Sequence, residues 1–138
     1  MSNLFNEEKQ RAFRDIKTLV DSAPIFMFLK GTLDTPKCKF TRRMVETLAP
    51  FKYRGIKTFN ILEDERIRQW LKFFSSWPTF PQVFVQQKFI GGVDILCELV
   101  EDGEFEALLP SECKPLPPLE LFKEFVTKNH IVAFQLSE

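Results

Sequence analysis

Residues 77–94 read Trp-Pro-Thr-Phe-Pro-Gln-Val-Phe-Val-Gln-Gln-Lys-Phe-Ile-Gly-Gly-Val-Asp, and the fold turns on them. Val83 to Gln86 opens on Val83, Phe84 and Val85, the β-branched and aromatic residues that strands favour. It predicts a strand, a tight turn near Gln87, and a returning strand of Phe89 and Ile90 that runs into Gly91-Gly92. A helix carrying Ile95, Leu96, Leu99 and Val100 opens at Asp94. A shorter one covers Glu104 to Leu109. This half of the chain is an antiparallel hairpin followed by helix.

Upstream the rhythm differs. Asn6 to Asp21 reads as a helix, with Phe13, Ile16, Leu19 and Val20 at three-to-four spacing. Pro24 ends it, and Ile25 to Lys30 (IFMFLK) reads as a strand buried on both faces. Gly31 to Lys37 is a loop, and a helix follows from about Cys38 through Leu48, with Met44, Val45 and Leu48 on its apolar face and Pro50 at its end. Thr58 to Leu62 predicts a second strand. Asp64 caps a helix over Glu65 to Phe74 that buries Ile67, Trp70, Leu71 and Phe74. The order α-β-α-β-α-β-β-α predicts an α/β fold: parallel strands first, then an antiparallel hairpin, in a small mixed sheet with helices on both faces.

At 138 residues with 44% hydrophobic and 28% charged side chains, the composition is that of one globular domain with a real core. Lys plus Arg number 19 and Asp plus Glu number 19, so the net charge is zero and no basic surplus points to nucleic acid. The longest apolar run, Ala23 to Leu29, is far short of the roughly 20 residues that span a bilayer. The opening MSNLFNEEKQ carries no apolar leader, so a soluble intracellular protein, cytoplasmic with the nucleus as a second compartment, is expected. The three cysteines, Cys38, Cys97 and Cys113, form no C-x-x-C pair and read as reduced thiols. One histidine, His130, is too few for a histidine-rich metal site or a Ser-His-Asp triad, and no phosphate-cradling glycine motif is present. Chemistry, if any, belongs to a thiol.

Residues 1–109 read as the domain, 110–118 as a Pro-rich linker, and 119–138 as a tail that echoes the opening. Offset by 106 residues, Lys17, Val20, Ile25 and Phe28 match Lys123, Val126, Ile131 and Phe134, and Ile16 and Leu19 fall opposite Phe122 and Phe125. Two unrelated helix–strand units and the start of a second, related domain both fit that pattern.

Three local signals converge on one site. Cys38 stands at a helix N-terminus between Lys37 and Lys39, where free N–H groups and positive charge favour a thiolate; an ordinary exposed thiol is the plainer alternative. Pro81 in Thr79-Phe80-Pro81 is placed for a cis bond that leaves the preceding backbone open to pairing, or for simple strand initiation. Gly91-Gly92-Val93-Asp94 lets a ligand approach the backbone beside a helix N-terminus, with Asp94 as a ligand group or only an N-cap. Together they describe a site for a small peptide with charged ends. Its carboxylate would meet Lys30 or Arg68, its middle backbone would pair beside Pro81, and its other end would meet Val93 and Asp94. Cys97 reads as a packing thiol and Cys113 as an exposed linker thiol; neither is a favoured partner for Cys38.

The segments Phe28-Leu29-Lys30-Gly31, Pro36-Lys37-Cys38-Lys39-Phe40-Thr41, Trp77-Pro78-Thr79-Phe80-Pro81-Gln82 and Gly91-Gly92-Val93-Asp94 resemble the monothiol glutaredoxins, the C-G-F-S class, over roughly residues 10–109. The likeness is greatest to the multidomain glutaredoxin-3 (PICOT-type) group. The resemblance implies a thioredoxin fold that binds glutathione. Lys30 and Arg68 would hold its glycine carboxylate, the Phe80 backbone before cis-Pro81 its cysteinyl unit, and Val93 and Asp94 its γ-glutamyl end. Cys38 would be the active thiol and the protein ligand of a [2Fe–2S] cluster shared with a second subunit. An iron–sulfur client or a BolA-like protein would be a partner, and iron homeostasis the context.

The chain departs from that pattern twice, with Lys39 in place of glycine and Thr41 in place of serine. Thr41 keeps the hydroxyl, so little change is expected. Lys39 adds charge that should lower the Cys38 pKa and bulk that would crowd a cluster. Three readings follow: a cluster carrier, a glutathione-dependent thiol–disulfide oxidoreductase working through Cys38, and an adaptor domain that has lost both activities.

Overall fold

The computed structural model describes residues 2–116. The tail over 119–138, with His130, and the end of the linker lie outside the described residues. The elements run α1 (Ser2–Asp21), β1 (Ile25–Leu29), α2 (Lys39–Leu48), β2 (Ile56–Asn60), α3 (Glu65–Ser75), β3 (Gln82–Val85), β4 (Lys88–Gly91), α4 (Val93–Glu101) and α5 (Glu104–Ala107). Short 3₁₀ turns occupy Ile61–Glu63 and Ser111–Cys113.

The four strands form one sheet in the order β2-β1-β3-β4. β1 pairs parallel with β2, Ile25 opposite Ile56 and Leu29 opposite Asn60. It pairs antiparallel with β3, Ile25 opposite Val85. A central strand covered on both sides must be apolar at every position, and all five residues of β1 are buried. Successive side chains alternate faces. Ile25, Met27 and Leu29 join Met44, Leu48, Val83, Val85, Leu96 and Val100 under α2 and α4. Phe26 and Phe28 join Ile16, Val20, Ile67, Leu71 and Phe84 under α1 and α3. This is the mixed sheet with helices on both faces that the element order predicts, the thioredoxin fold.

Element boundaries differ from the predicted ones where local hydrogen bonding outweighs periodicity. β2 lies at Ile56–Asn60 and not at Thr58 to Leu62, because Asn60 ends it: its side-chain oxygen accepts the Leu62 N–H at 3.0 Å and starts the 3₁₀ turn. The hairpin turns through Gln86 (φ 49°) and Gln87 (φ 66°). Paired positive φ values of this kind match the strand twist in tight hairpins. α4 opens one residue early, at Val93, with Gly92 as its N-cap, so Asp94 is not a cap. Asp64 does cap α3, accepting the Ile67 N–H at 3.0 Å.

The largest correction concerns Cys113. It is fully buried, not an exposed linker thiol. The chain after Leu109 turns back onto the domain: the Arg54 N–H donates to the Cys113 carbonyl at 2.9 Å, and the Arg54 guanidinium to the Lys114 carbonyl. Gly55 (φ +78°) passes so close that a Cβ there would lie 2.9 Å from the Cys113 sulfur. Among the described residues, no helix is long and apolar enough to cross a membrane.

Candidate active site

The loop between β1 and α2 is closed on itself. The Lys37 N–H donates to the Lys30 carbonyl at 2.9 Å, Thr32 N–H to the Thr35 carbonyl at 3.1 Å, and Gly31 bridges Pro36. Asn60, at the end of β2, accepts the Gly31 N–H at 2.9 Å and so ties this loop to the neighbouring strand. The closed loop delivers Cys38 to the N-cap of α2 in an extended conformation (φ −147°, ψ 163°).

The Cys38 sulfur is half-buried and accepts the Thr41 N–H at 3.4 Å; the Thr41 hydroxyl lies 3.2 Å from it. Burial pushes the thiol up, but the Thr41 hydroxyl, the Thr41 and Phe40 N–H groups and the Lys30 charge together hold it below the ordinary cysteine range. Thr41 is fully buried, and its hydroxyl, the group it shares with serine, is the foremost one lowering the thiol. Lys39, expected to lower it, instead rests its ammonium over the Phe40 ring, 5.2 Å from the centroid, a cation–π arrangement.

These groups fix how reactivity should depend on pH. Only the thiolate is nucleophilic, so iodoacetamide should modify Cys38 first, at a pH where a free cysteine is still protonated. Its rate should fall about tenfold per unit only below its lowered pKa. Thr41→Val should move that profile to higher pH, whereas Thr41→Ser should not. A Cys38 profile matching that of free cysteine would refute the assignment. Cys113, whose thiol burial pushes up, and Cys97, which is buried with its sulfur 3.1 Å from the Thr47 hydroxyl, should react only on unfolding.

A groove of about 310 Å³ is walled on one side by Phe40, two residues after Cys38, which is not itself among the residues that line it. Phe80, Pro81, Val93 and Asp94, four of the predicted binding residues, line it together. The Phe80–Pro81 bond is cis. Phe40, Trp77 and Thr79 complete the wall, and Gly92 and Ile95 the floor near α4. Gly92 packs closely here: a Cβ would sit 3.1 Å from the Trp77 indole nitrogen, so the indole would have to give by a few tenths of an ångström. The segment is held by Gln82, which is fully buried and donates its amide to the Trp77 and Thr79 carbonyls at 2.9 and 3.2 Å. Among the described residues α4 has no side-chain cap, so the N–H groups of its first turn, on residues that line the groove, have no side-chain partner.

Lys30 and Arg68 are not on the groove wall. Lys30 acts on Cys38 through charge, from the C-terminal end of β1. Arg68 lies in the first turns of α3, with one guanidinium nitrogen 3.5 Å from Glu65 and its buried Nε without a partner among the described residues. Among the described residues, no three His, Cys, Asp or Glu side chains cluster as a metal site. No role for Asn60, Arg43 or Gln82 is legible in the sequence, although Gln82 stands in the Trp77–Gln82 run; Arg43 pairs with Asp94. Each is a polar residue at the end of an apolar element or on a helix face, a weak signal without knowing which elements meet.

The glutaredoxin family model matches residues 25–90. Glutaredoxin 3 of Danio rerio is 39% identical over 119 residues, 86% of this chain and 35% of that protein. Monothiol glutaredoxin-5, mitochondrial, of Saccharomyces cerevisiae is 39% identical over 110 residues, 76% of this chain and 71% of that protein. A buckwheat glutaredoxin solved as a complex with glutathione shares 25% identity at a TM-score of 0.65, covering 75% of this chain and 91% of that one. The chain thus spans about a third of the zebrafish protein it matches.

Proposed function

The chain belongs to the monothiol glutaredoxins, and on that premise we propose that it binds glutathione and, as a dimer, carries a bridging [2Fe–2S] cluster as cargo for delivery to iron–sulfur proteins in the cytoplasm. The observation that carries this reading is the groove of Phe80, Pro81, Val93 and Asp94, walled also by Phe40 two residues after a thiol held below the ordinary cysteine range. The groove's volume of about 310 Å³ suits a small peptide. Its walls are aromatic, its α4 end offers free N–H groups to a carboxylate, and the Asp94 carboxylate suits an ammonium. The unpartnered Nε of Arg68 is a donor suited to the ligand's glycine carboxylate, with Lys30 beside the loop.

The donor set fits a shared cluster. One half-buried thiolate per chain cannot enclose iron, so two chains would each give Cys38 and two glutathiones would give the remaining sulfurs. Lys39, folded over Phe40, supports a face left open to the second subunit.

A second reading is favoured by the lowered Cys38 thiol itself. As a thiolate it attacks the glutathione sulfur of a glutathionylated protein, forming a Cys38–glutathione disulfide and expelling the protein thiolate, which takes a proton. A second glutathione thiolate then attacks that disulfide, releasing oxidised glutathione and the Cys38 thiolate.

Anaerobic reconstitution with iron, sulfide and glutathione, read by visible absorption and size-exclusion mass together, tests the proposal. A brown dimer that requires glutathione is expected. A colourless monomer that still binds glutathione would overturn the carrier in favour of the thiol enzyme or an adaptor.

A further inference from the structure

Arg43 stands on α2 three residues after Phe40, so the two share one helix face, and Phe40 lines the groove. Its guanidinium reaches across to α4 and pairs through Nη1 with Asp94 Oδ1 at 2.5 Å. The pair joins residues 51 apart in sequence, at the groove end where the first-turn N–H groups of α4 have no side-chain cap. Both side chains remain well exposed, 51% for Arg43 and 85% for Asp94. An ion pair this open adds little to the fold. It does place a cation and an anion side by side at one end of the groove.

Resting on the glutathione reading above, we propose that Arg43 is a specificity-determining residue for the γ-glutamyl end of the ligand, which carries an ammonium and a carboxylate on one carbon. Asp94 takes the ammonium. The carboxylate sits between the α4 N-terminus and Arg43, whose guanidinium has five N–H donors and spends only one on Asp94. Arg43 can therefore keep Asp94 oriented and still bind the carboxylate, so the four charges alternate in sign. A ligand end with only one of the two charges leaves one of these residues unmatched. The class selected is thus a peptide thiol ending in a free α-amino acid.

The test compares glutathione with its analogue lacking that carboxylate, γ-aminobutyryl-cysteinyl-glycine, in calorimetric titrations of wild type, Arg43→Gln and Arg43→Lys. Arg43→Gln should weaken glutathione binding about five- to tenfold, as expected for losing one partly exposed charge-assisted contact. It should weaken the analogue clearly less, since the analogue has no carboxylate to lose and feels only the freer Asp94, and Arg43→Lys should restore part of the loss. Equal weakening of both ligands would overturn the inference and make Arg43 only a support for Asp94. Unchanged or tighter glutathione binding in Arg43→Gln would overturn it too. Failure of the wild type to bind either ligand would instead remove the glutathione reading itself, and this inference with it.

Discussion

Cys38→Ser is expected to fold normally yet take up no colour when reconstituted with iron, sulfide and glutathione, and to lose all glutathione-dependent thiol exchange. The serine hydroxyl can still receive the Thr41 N–H that Cys38 accepts at 3.4 Å, so the N-cap of α2 survives. What disappears is the soft sulfur donor and the nucleophile. Cys97→Ser should stay brown, because its neighbour, the Thr47 hydroxyl at 3.1 Å, can bond a serine as well as a thiol. Cys113→Ser should also stay brown but lose stability by about 1–3 kcal/mol, since a hydroxyl would replace a sulfur buried among apolar neighbours. Absorption after reconstitution, alongside a thermal melt of each variant, reads all three. Bleaching by Cys97→Ser or Cys113→Ser in a protein that still melts cooperatively would move the site away from Cys38.

Gly31→Ala is expected to be the most damaging substitution outside the core. At φ +93° an alanine Cβ would meet the Thr35 carbonyl oxygen at 2.5 Å and the Lys37 nitrogen at 2.7 Å. Both are backbone atoms whose hydrogen bonds close the loop, so neither can swing aside. The unfavourable φ and the forced opening together should cost about 3 kcal/mol or more. For a domain of this size that corresponds to a fall of about 10 °C in the melting temperature. Cys38 should also lose its early alkylation, because the opened loop no longer sets Lys30 and the α2 N-terminus against it. Gly103→Ala is the matched control: φ is +75° but nothing lies within 4 Å of the added carbon. Only the backbone contribution, about 1 kcal/mol, remains there. If Gly31→Ala melted no lower than Gly103→Ala, the closed loop would not be what positions Cys38.

Much of the site was legible because its residues come in short contiguous runs. Trp77 to Gln82 and Gly91 to Asp94 flank the strands of a single hairpin, so reading the hairpin already brings them to one end of the sheet. Cys38 at a helix start was likewise a local signal, a thiol following a Gly- and Pro-bearing loop. Thr41 was legible as a kept hydroxyl but not as a buried one, and a buried hydroxyl beside sulfur has no water to compete with it. Lys39 was overvalued: a long flexible cation next to a site in sequence is free to settle elsewhere, here over Phe40.

By itself the sequence determined the kinds and order of the elements, the doubly buried β1, the mixed sheet, and the residues that make the groove and the thiol. These follow from hydrophobic period, proline and glycine placement and helix capping, which are properties of neighbours a few residues apart. Only the tertiary structure decided that Asn60 pins the Gly31 loop, 29 residues away, that Arg43 reaches Asp94, 51 residues away, and that Cys113 is sealed against Gly55. Such contacts join polar groups or single side chains on different elements. No repeat along the chain encodes them, and they exist only once hydrophobic burial has fixed which ends meet.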